Sequence, residues 1–144
     1  MRTTTLEESK RLVELGLDPK TADCYWCKQL KDWRGKDITH NFYIVYHPYK
    51  DRNHMVCGFE TFEEHPAWSL DALLSLLPSE KDRCWQITRG GWEFLEKDGS
   101  YNKDACFISL EVENENIYES KVSGSFFEAA YNMITWLLAN GIKI

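Results

Sequence analysis

The sequence predicts an α+β fold: one antiparallel sheet of about five or six strands, with three amphipathic helices packed on one face. Three segments place apolar residues at helical spacing, so each helix has a single apolar stripe to bury. The aromatic and β-branched segments between them turn back through hairpin signals rather than helical crossovers. That arrangement is typical of an antiparallel sheet.

Each predicted helix is bounded by a capping residue and an end signal. The first runs from about Leu6 to Leu15, and Gly16 follows it as a left-handed cap. The second begins after Ser69 and ends at Pro78, whereas the last lies between Ser125 and Gly141. The residues expected in the core form two stripes: Leu70, Leu73, Leu74 and Leu77, then Phe127, Ala130, Met133, Ile134, Leu137 and Leu138.

The strands fall into two groups. A hairpin is expected from the aromatic run 42–46 and the apolar run 55–59, because the residues between them are rich in turn formers. A meander is expected near the C-terminus, where Asp98-Gly99 is a strong hairpin signal. Its predicted strands are Cys84–Thr88, Trp92–Lys97, Ala105–Glu113 and Asn116–Val122.

Length and composition predict one cytoplasmic domain over residues 1–144. The N-terminus has no apolar leader segment, and no run approaches the ~18 apolar residues that span a bilayer, so no membrane partner is expected. The chain has five cysteines. An odd count without a secretory signal predicts that all five are reduced thiols.

The charge of the chain disfavours a nucleic-acid partner. The formal net charge is −6 and the sequence pI is near 5.2, whereas binding to phosphate backbones needs clustered cations. Residues 28–52 contain six basic and three acidic side chains among several aromatics. Aromatic side chains beside cations can bind single-stranded nucleic acid. The net positive charge of this segment is small, however, and β-strands rich in aromatic residues usually pack into the core.

The sharpest local motif is Cys24-Tyr25-Trp26-Cys27. With His54 and Cys57, its thiols could supply four tetrahedral zinc ligands, which would make the chain a small zinc-stabilised module. The competing interpretation is that these cysteines pack as small apolar side chains. A strand at 55–59 would oppose the zinc site, because side chains three residues apart in a strand point to opposite faces. No other cofactor is expected.

Catalytic signatures are weak in this sequence. Histidines occur at 40, 47, 54 and 65, and a cysteine could pair with His47 or His65, for example, as a nucleophile with its base. No nucleophile elbow surrounds any serine or cysteine, however. An unrecognised hydrolase therefore remains an alternative, and no residue is assigned a catalytic role.

Trp136 is the candidate for a binding surface. At 100° per residue it lies at the margin of the apolar stripe of the last helix, so it is either covered by its own chain or available to a partner. The sequence contains six Trp and seven Tyr, more than a core of this size usually absorbs.

Three parts of the sequence together resemble a group of small uncharacterised proteins common in Bacteroides-type gut bacteria and their phages and mobile elements. They are residues 4–23 (TTLEESKRLVELGLDPKTAD), residues 66–78 (PAWSLDALLSLLP) and residues 129–141 (AAYNMITWLLANG). The resemblance implies no activity and carries over no functional residue. It is consistent with a non-enzymatic accessory protein that binds another macromolecule, a protein before a nucleic acid, or that forms a homo-oligomer.

Overall fold

The computed structural model describes residues 2–78, 83–89, 106–112, 115–119, 125–142 and 144. Its helices are α1 (Leu6–Glu14), α2 (Leu70–Ser75) and α3 (Phe126–Ala139). Its strands are β1 (Cys24–Lys31), β2 (Tyr43–Val45), β3 (Thr61–Ala67), β4 (Arg83–Arg89), β5 (Cys106–Val112) and β6 (Glu115–Glu119). No described helix is long and apolar enough to cross a membrane.

The chain groups into two compact units, Met1–Ala72 and Leu73–Ile144. The α+β class predicted from the sequence is confirmed. The described strands also number six, as expected, but their hydrogen bonds form two antiparallel sheets of three strands instead of one sheet. The single domain and the packing of all helices on one face stay predictions.

The sheet of the first unit has the order β2-β1-β3, with β1 antiparallel to both neighbours. The two outer strands are therefore parallel to each other, and the chain must pass across the sheet between them. Residues 46–60, the crossover segment, make this connection. Parallel strands are usually joined by a helix, whereas this segment contains only the short 3-10 helix Tyr49–Asp51.

The predicted strand at 55–59 is wrong, and so is the hairpin that would contain it. The segment closes a turn instead: the Glu60 N–H donates to the Cys57 carbonyl at 3.2 Å, and Gly58 has a φ of +58°. A left-handed residue at this position does not fit an extended strand. The next strand, β3, begins only at Thr61.

Helix α1 forms where its sequence signals place it. The Thr5 side chain caps it by accepting the Glu8 N–H at 3.2 Å, and Leu12 is fully buried. Helix α1 packs against β3, and the Trp26 indole N–H donates to the Thr4 carbonyl at 2.9 Å. Trp26 lies on the face of the sheet opposite to Tyr25 and Cys27, so that face is turned toward the start of α1.

Helix α2 is shorter than its leucine pattern suggests. The Ser69 side chain caps it by accepting the Ala72 N–H at 3.3 Å, as predicted. Leu73 and Leu77 are buried, whereas Leu74 is only half-buried. The expectation that all four stripe leucines lie in the core therefore holds for Leu73 and Leu77 and not for Leu74 and Leu70, which are both half-buried.

The second unit contains the sheet β4-β5-β6 and helix α3, which packs on β5. Strands β4, β5 and β6 agree with three of the predicted strands, and the strand predicted at Trp92–Lys97 lies outside the described residues. The Ser125 side chain caps α3. The buried residues of α3 are Phe127, Ala129, Ala130, Met133, Ile134 and Leu137, which confirms the predicted stripe except at the half-buried Leu138.

Candidate functional site

One face of the first sheet brings two of the four candidate zinc ligands together with a carboxylate. Cys27 of β1 lies opposite Glu64 of β3, and Tyr25 and Phe62 share their side of the sheet, because alternate residues of a strand point the same way. The crossover segment lies over this face. Its His54 ring stacks on Phe62 with 4.6 Å between ring centroids and 13° between planes.

The two cysteines of the Cys-x-x-Cys motif point in opposite directions. Both lie in β1, where a spacing of three residues puts them on different faces of the sheet. The buried Cys24 thiol donates to the Ala67 carbonyl at 3.2 Å. Burial, followed by the nearby Asp23 carboxylate, raises the pKa of Cys24 to about 12. At neutral pH this sulfur is therefore a thiol rather than a metal-binding thiolate.

Of the four zinc candidates, only Cys27 and His54 come together. The Cys27 sulfur lies 3.5 Å from His54 Nε2, while Cys24 faces the other side of the sheet and Cys57 is exposed. Within the described ranges, no three His, Cys, Asp or Glu side chains are grouped so that they could hold a metal ion. The ligand set expected from the sequence is thus not assembled.

The pair Cys27–His54 is also poorly arranged for nucleophilic catalysis. His54 Nε2 lies 2.9 Å from Glu64 Oε1, so the same nitrogen faces both the carboxylate and the thiol. A nitrogen that donates its proton to a carboxylate cannot also accept one from sulfur. Burial raises the pKa of Cys27, and a hydrogen bond with Tyr43 offsets this only in part. Activation would require a lowered pKa and a free base nitrogen.

A groove beside helix α1 offers no better nucleophile. It has a volume of about 370 Å³ and is lined mainly by apolar atoms of α1, β3 and the crossover segment. Its serine, Ser9, is buried and already hydrogen-bonded to the Thr4 hydroxyl at 2.7 Å. Its histidine, His65, is held by Glu63 at 2.9 Å. No serine–histidine pair forms in this groove.

The polar group that organises this side of the sheet is Glu64. Its Oε2 accepts from Arg52 Nε at 2.9 Å and its Oε1 from His54 Nε2 at 2.9 Å. We call Arg52, His54 and Glu64 the carboxylate clamp. Both donors belong to the crossover segment and the acceptor belongs to β3, so the clamp fastens that segment to the sheet. The side chains of His54 and Glu64 are only 19% and 17% exposed.

Four large apolar side chains lie exposed in two neighbouring segments of the first unit. Trp33 is 61% exposed, Met55 91%, Val56 53% and Phe59 74%. We call these four residues the apolar tip. Trp33 belongs to the turn after β1, and the other three belong to the end of the crossover segment. Exposed apolar side chains carried on neighbouring segments are characteristic of interaction sites.

The two turns that carry the apolar tip are in direct contact. The Phe59 N–H donates to the Trp33 carbonyl at 3.0 Å. A Cβ added at Gly58 would lie 2.3 Å from the same carbonyl oxygen, and one added at Gly35 would lie 3.3 Å from Phe59 Cβ. Glycine at position 58 therefore permits the backbones to approach this closely, and the contact fixes the two backbones beside each other.

Trp136, the candidate surface residue from the sequence, is half-buried. Its ring stacks on Tyr118 of β6 with 4.2 Å between centroids and 18° between planes. One face of the indole is therefore covered within its own unit. The aromatics with the greatest exposure among the described residues lie in the first unit instead.

Sequence reasoning missed the clamp and the tip. Residues 55–59 were predicted to form a strand but form a turn, and Glu64 lies in β3, where no strand is predicted from the sequence. The signals that could have found the tip are the glycines at 35 and 58 beside exposed aromatics.

Comparison of the chain with protein-family models, curated proteins and solved structures gives no match.

Proposed function

We propose that this chain is a non-enzymatic accessory protein that acts in the cytoplasm and binds another protein through the apolar tip. It is of the kind carried on phages and mobile elements, as the sequence resemblance suggests. The partner presents an apolar cleft that receives the exposed side chains of Trp33 and Phe59. Trp136 is a secondary candidate, because one face of its ring is not covered by Tyr118.

The observation that carries the proposal is the contact between the two turns of the tip. Exposed aromatics on unconstrained loops would lose conformational freedom on binding, and that loss weakens association. Here the Phe59–Trp33 hydrogen bond at 3.0 Å already holds the two backbones together. Tryptophan is also the residue type most enriched among residues that dominate binding energy.

The charges around the tip favour a protein over a nucleic acid. Lys31 lies 3.9 Å from Asp37, and Arg34 lies 3.3 Å from Asp32. The backbone N–H of Lys36 is the main group that lowers the pKa of Asp32, so this carboxylate is ionised at neutral pH. Cations that already face carboxylates of their own chain contribute little to phosphate binding.

The geometry around Cys27 supports the non-enzymatic part of the proposal. The thiol has a raised pKa and faces a histidine nitrogen that is also within hydrogen-bond distance of Glu64. This cluster is suited to holding the crossover segment in place, because both donors and the acceptor are used internally. A hydrolase would need one of these groups to be free for substrate.

Site-specific photocrosslinking tests the proposal in the cell that makes the protein. A photoreactive phenylalanine analogue is placed at position 33 or, as a matched control, at position 46, because Tyr46 is 58% exposed and Trp33 is 61% exposed. We expect a discrete adduct with a second protein from position 33 and none from position 46. Mass spectrometry of the adduct identifies the partner.

Three outcomes would contradict the proposal. Equal adduct patterns from positions 33 and 46 would show nonspecific collision. An adduct of twice the chain's mass would make the occupant a second copy of this protein. Flotation of the purified chain with anionic phospholipid vesicles, lost in Trp33→Ala, would make the tip a membrane-surface element instead.

A further inference from the structure

The apolar tip depends on how the crossover segment is held. Met55 and Val56 follow directly after His54, and the turn formed by Cys57 and Glu60 comes next. Along the chain, these two tip residues therefore lie between the carboxylate clamp, which precedes them, and the turn beside Trp33, which follows them. Regular secondary structure does not hold them, since residues 52–60 belong to no helix or strand.

Aromatic rings position both donors of the clamp. The Arg52 guanidinium lies 4.3 Å from the centroid of the Tyr49 ring. The His54 ring stacks on Phe62 and meets the Tyr25 ring edge-on, with 5.8 Å between centroids. The two donors are thus held in fixed directions toward one carboxylate. Arg52 contacts Oε2 of Glu64, and His54 contacts Oε1.

We infer that Glu64 is the positioning residue of the apolar tip: its carboxylate, by holding Arg52 and His54 together, fixes the part of the crossover segment that carries Met55 and Val56 and leads into the Phe59–Trp33 contact. The inference rests on the proposed function. It extends that function to the regulation of the binding surface. Any change that breaks the contacts of Glu64 with Arg52 and His54 also loosens Met55 and Val56, which are two of the four tip residues. Glu64 contacts no partner itself.

The neighbouring carboxylate provides a matched control. Glu63 and Glu64 are adjacent in β3 and each lies 2.9 Å from the Nε2 atom of a histidine. Glu63, however, points to the opposite face of the sheet and holds His65, two residues away in its own strand. A Glu63→Gln substitution therefore removes a similar charge and a similar contact without touching the crossover segment.

The test combines hydrogen exchange with crosslinking in Glu64→Gln and Glu63→Gln. A glutamine can accept from only one of the two donors, because its other terminal atom is itself a donor. We expect exchange at the Phe59 amide to rise at least about ten-fold in Glu64→Gln, with the Leu12 amide unchanged. Glu63→Gln should leave both amides unchanged. The adduct yield from position 33 should fall in Glu64→Gln alone.

The two readouts separate failure of the inference from failure of the proposed function. Unchanged exchange at Phe59 in Glu64→Gln would show that the clamp does not hold the segment. Faster exchange with an undiminished adduct yield would show that the clamp does not control binding. Either result overturns the inference while an adduct from the unmodified chain still supports the function. Absence of any adduct in the unmodified chain would instead remove the proposed function.

Discussion

Replacing Gly58 by alanine perturbs the contact on which the apolar tip depends. Gly58 has a φ of +58°, and a Cβ there would lie 2.3 Å from the Trp33 carbonyl oxygen, where ordinary contact begins at 3.4 Å. The two backbones must therefore separate by about 1 Å, which exceeds the roughly 0.5 Å range over which N–H···O distances vary in hydrogen bonds. The Phe59–Trp33 hydrogen bond, 3.0 Å long, is expected to break.

Two contributions set the magnitude of this effect. A left-handed conformation costs a non-glycine residue about 1–2 kcal/mol. Loss of a backbone hydrogen bond adds about 0.5–1.5 kcal/mol. We therefore expect Gly58→Ala to lower the free energy of unfolding by about 2–3 kcal/mol.

Urea unfolding followed by far-UV circular dichroism measures this change, and Gly141→Ala is the matched control. Gly141 has a similar φ of +69°, but a Cβ there would meet nothing within 4 Å. The control variant should therefore show only the conformational contribution, about 1–2 kcal/mol. Equal destabilisation of the two variants would refute the close approach of the two turns.

Three further predictions concern the core and the thiols. Leu73→Ala should lower the free energy of unfolding by about 2–5 kcal/mol, because Leu73 is fully buried. Leu74→Ala should lower it clearly less, because Leu74 is only half-buried. Equal decreases in the free energy of unfolding, measured by urea titration, would contradict the helix phase. In the native protein a thiol reagent should modify the exposed Cys57 much faster than the buried Cys24 and Cys27. In urea without reductant the same reagent should titrate five thiols per chain. A count of three or fewer would disprove the prediction that all five cysteines are reduced. Because burial raises the pKa of Cys24 from 9.0 to about 12, the stability that its neutral form provides is complete below pH 9 and is lost as pH rises toward 12. The unfolding midpoint of Cys24→Ala should therefore fall less steeply over this range than that of the unmodified chain, and parallel declines would argue against the assignment.

The helices were predictable from sequence because their signals are local. Thr5 caps α1 and Ser125 caps α3 through contacts only three residues away along the chain. The apolar stripe of α3 likewise depends only on helical spacing. Leu74 departs from its pattern because α2 ends at Ser75, after too few turns to bury a wide stripe.

The candidate site was less predictable because it depends on residues that are distant in sequence. Cys27 and His54 were predicted together only as two of four candidate zinc ligands. The sequence did not show that Cys24 and Cys27 lie on opposite faces, because that depends on β1 running through both. The contact of Trp33 with Phe59 depends on a crossover that no hairpin pattern reveals. Free cysteines are confirmed at 24, 27 and 57, whereas the side chains of Cys84 and Cys106 lie outside the described residues.

The affinity of the crosslinked partner for three purified forms of the chain tests the binding role most directly. Isothermal titration calorimetry would compare the unmodified chain with Trp33→Ala and with Tyr46→Ala, whose side chains are similarly exposed. If Trp33 enters an apolar cleft, its removal should cost at least about 2 kcal/mol, which is roughly a 30-fold weaker Kd, and Tyr46→Ala should bind like the unmodified chain. The heat capacity change of binding should be negative, since apolar surface is buried. Equal affinities for all three forms would contradict a binding site at the apolar tip.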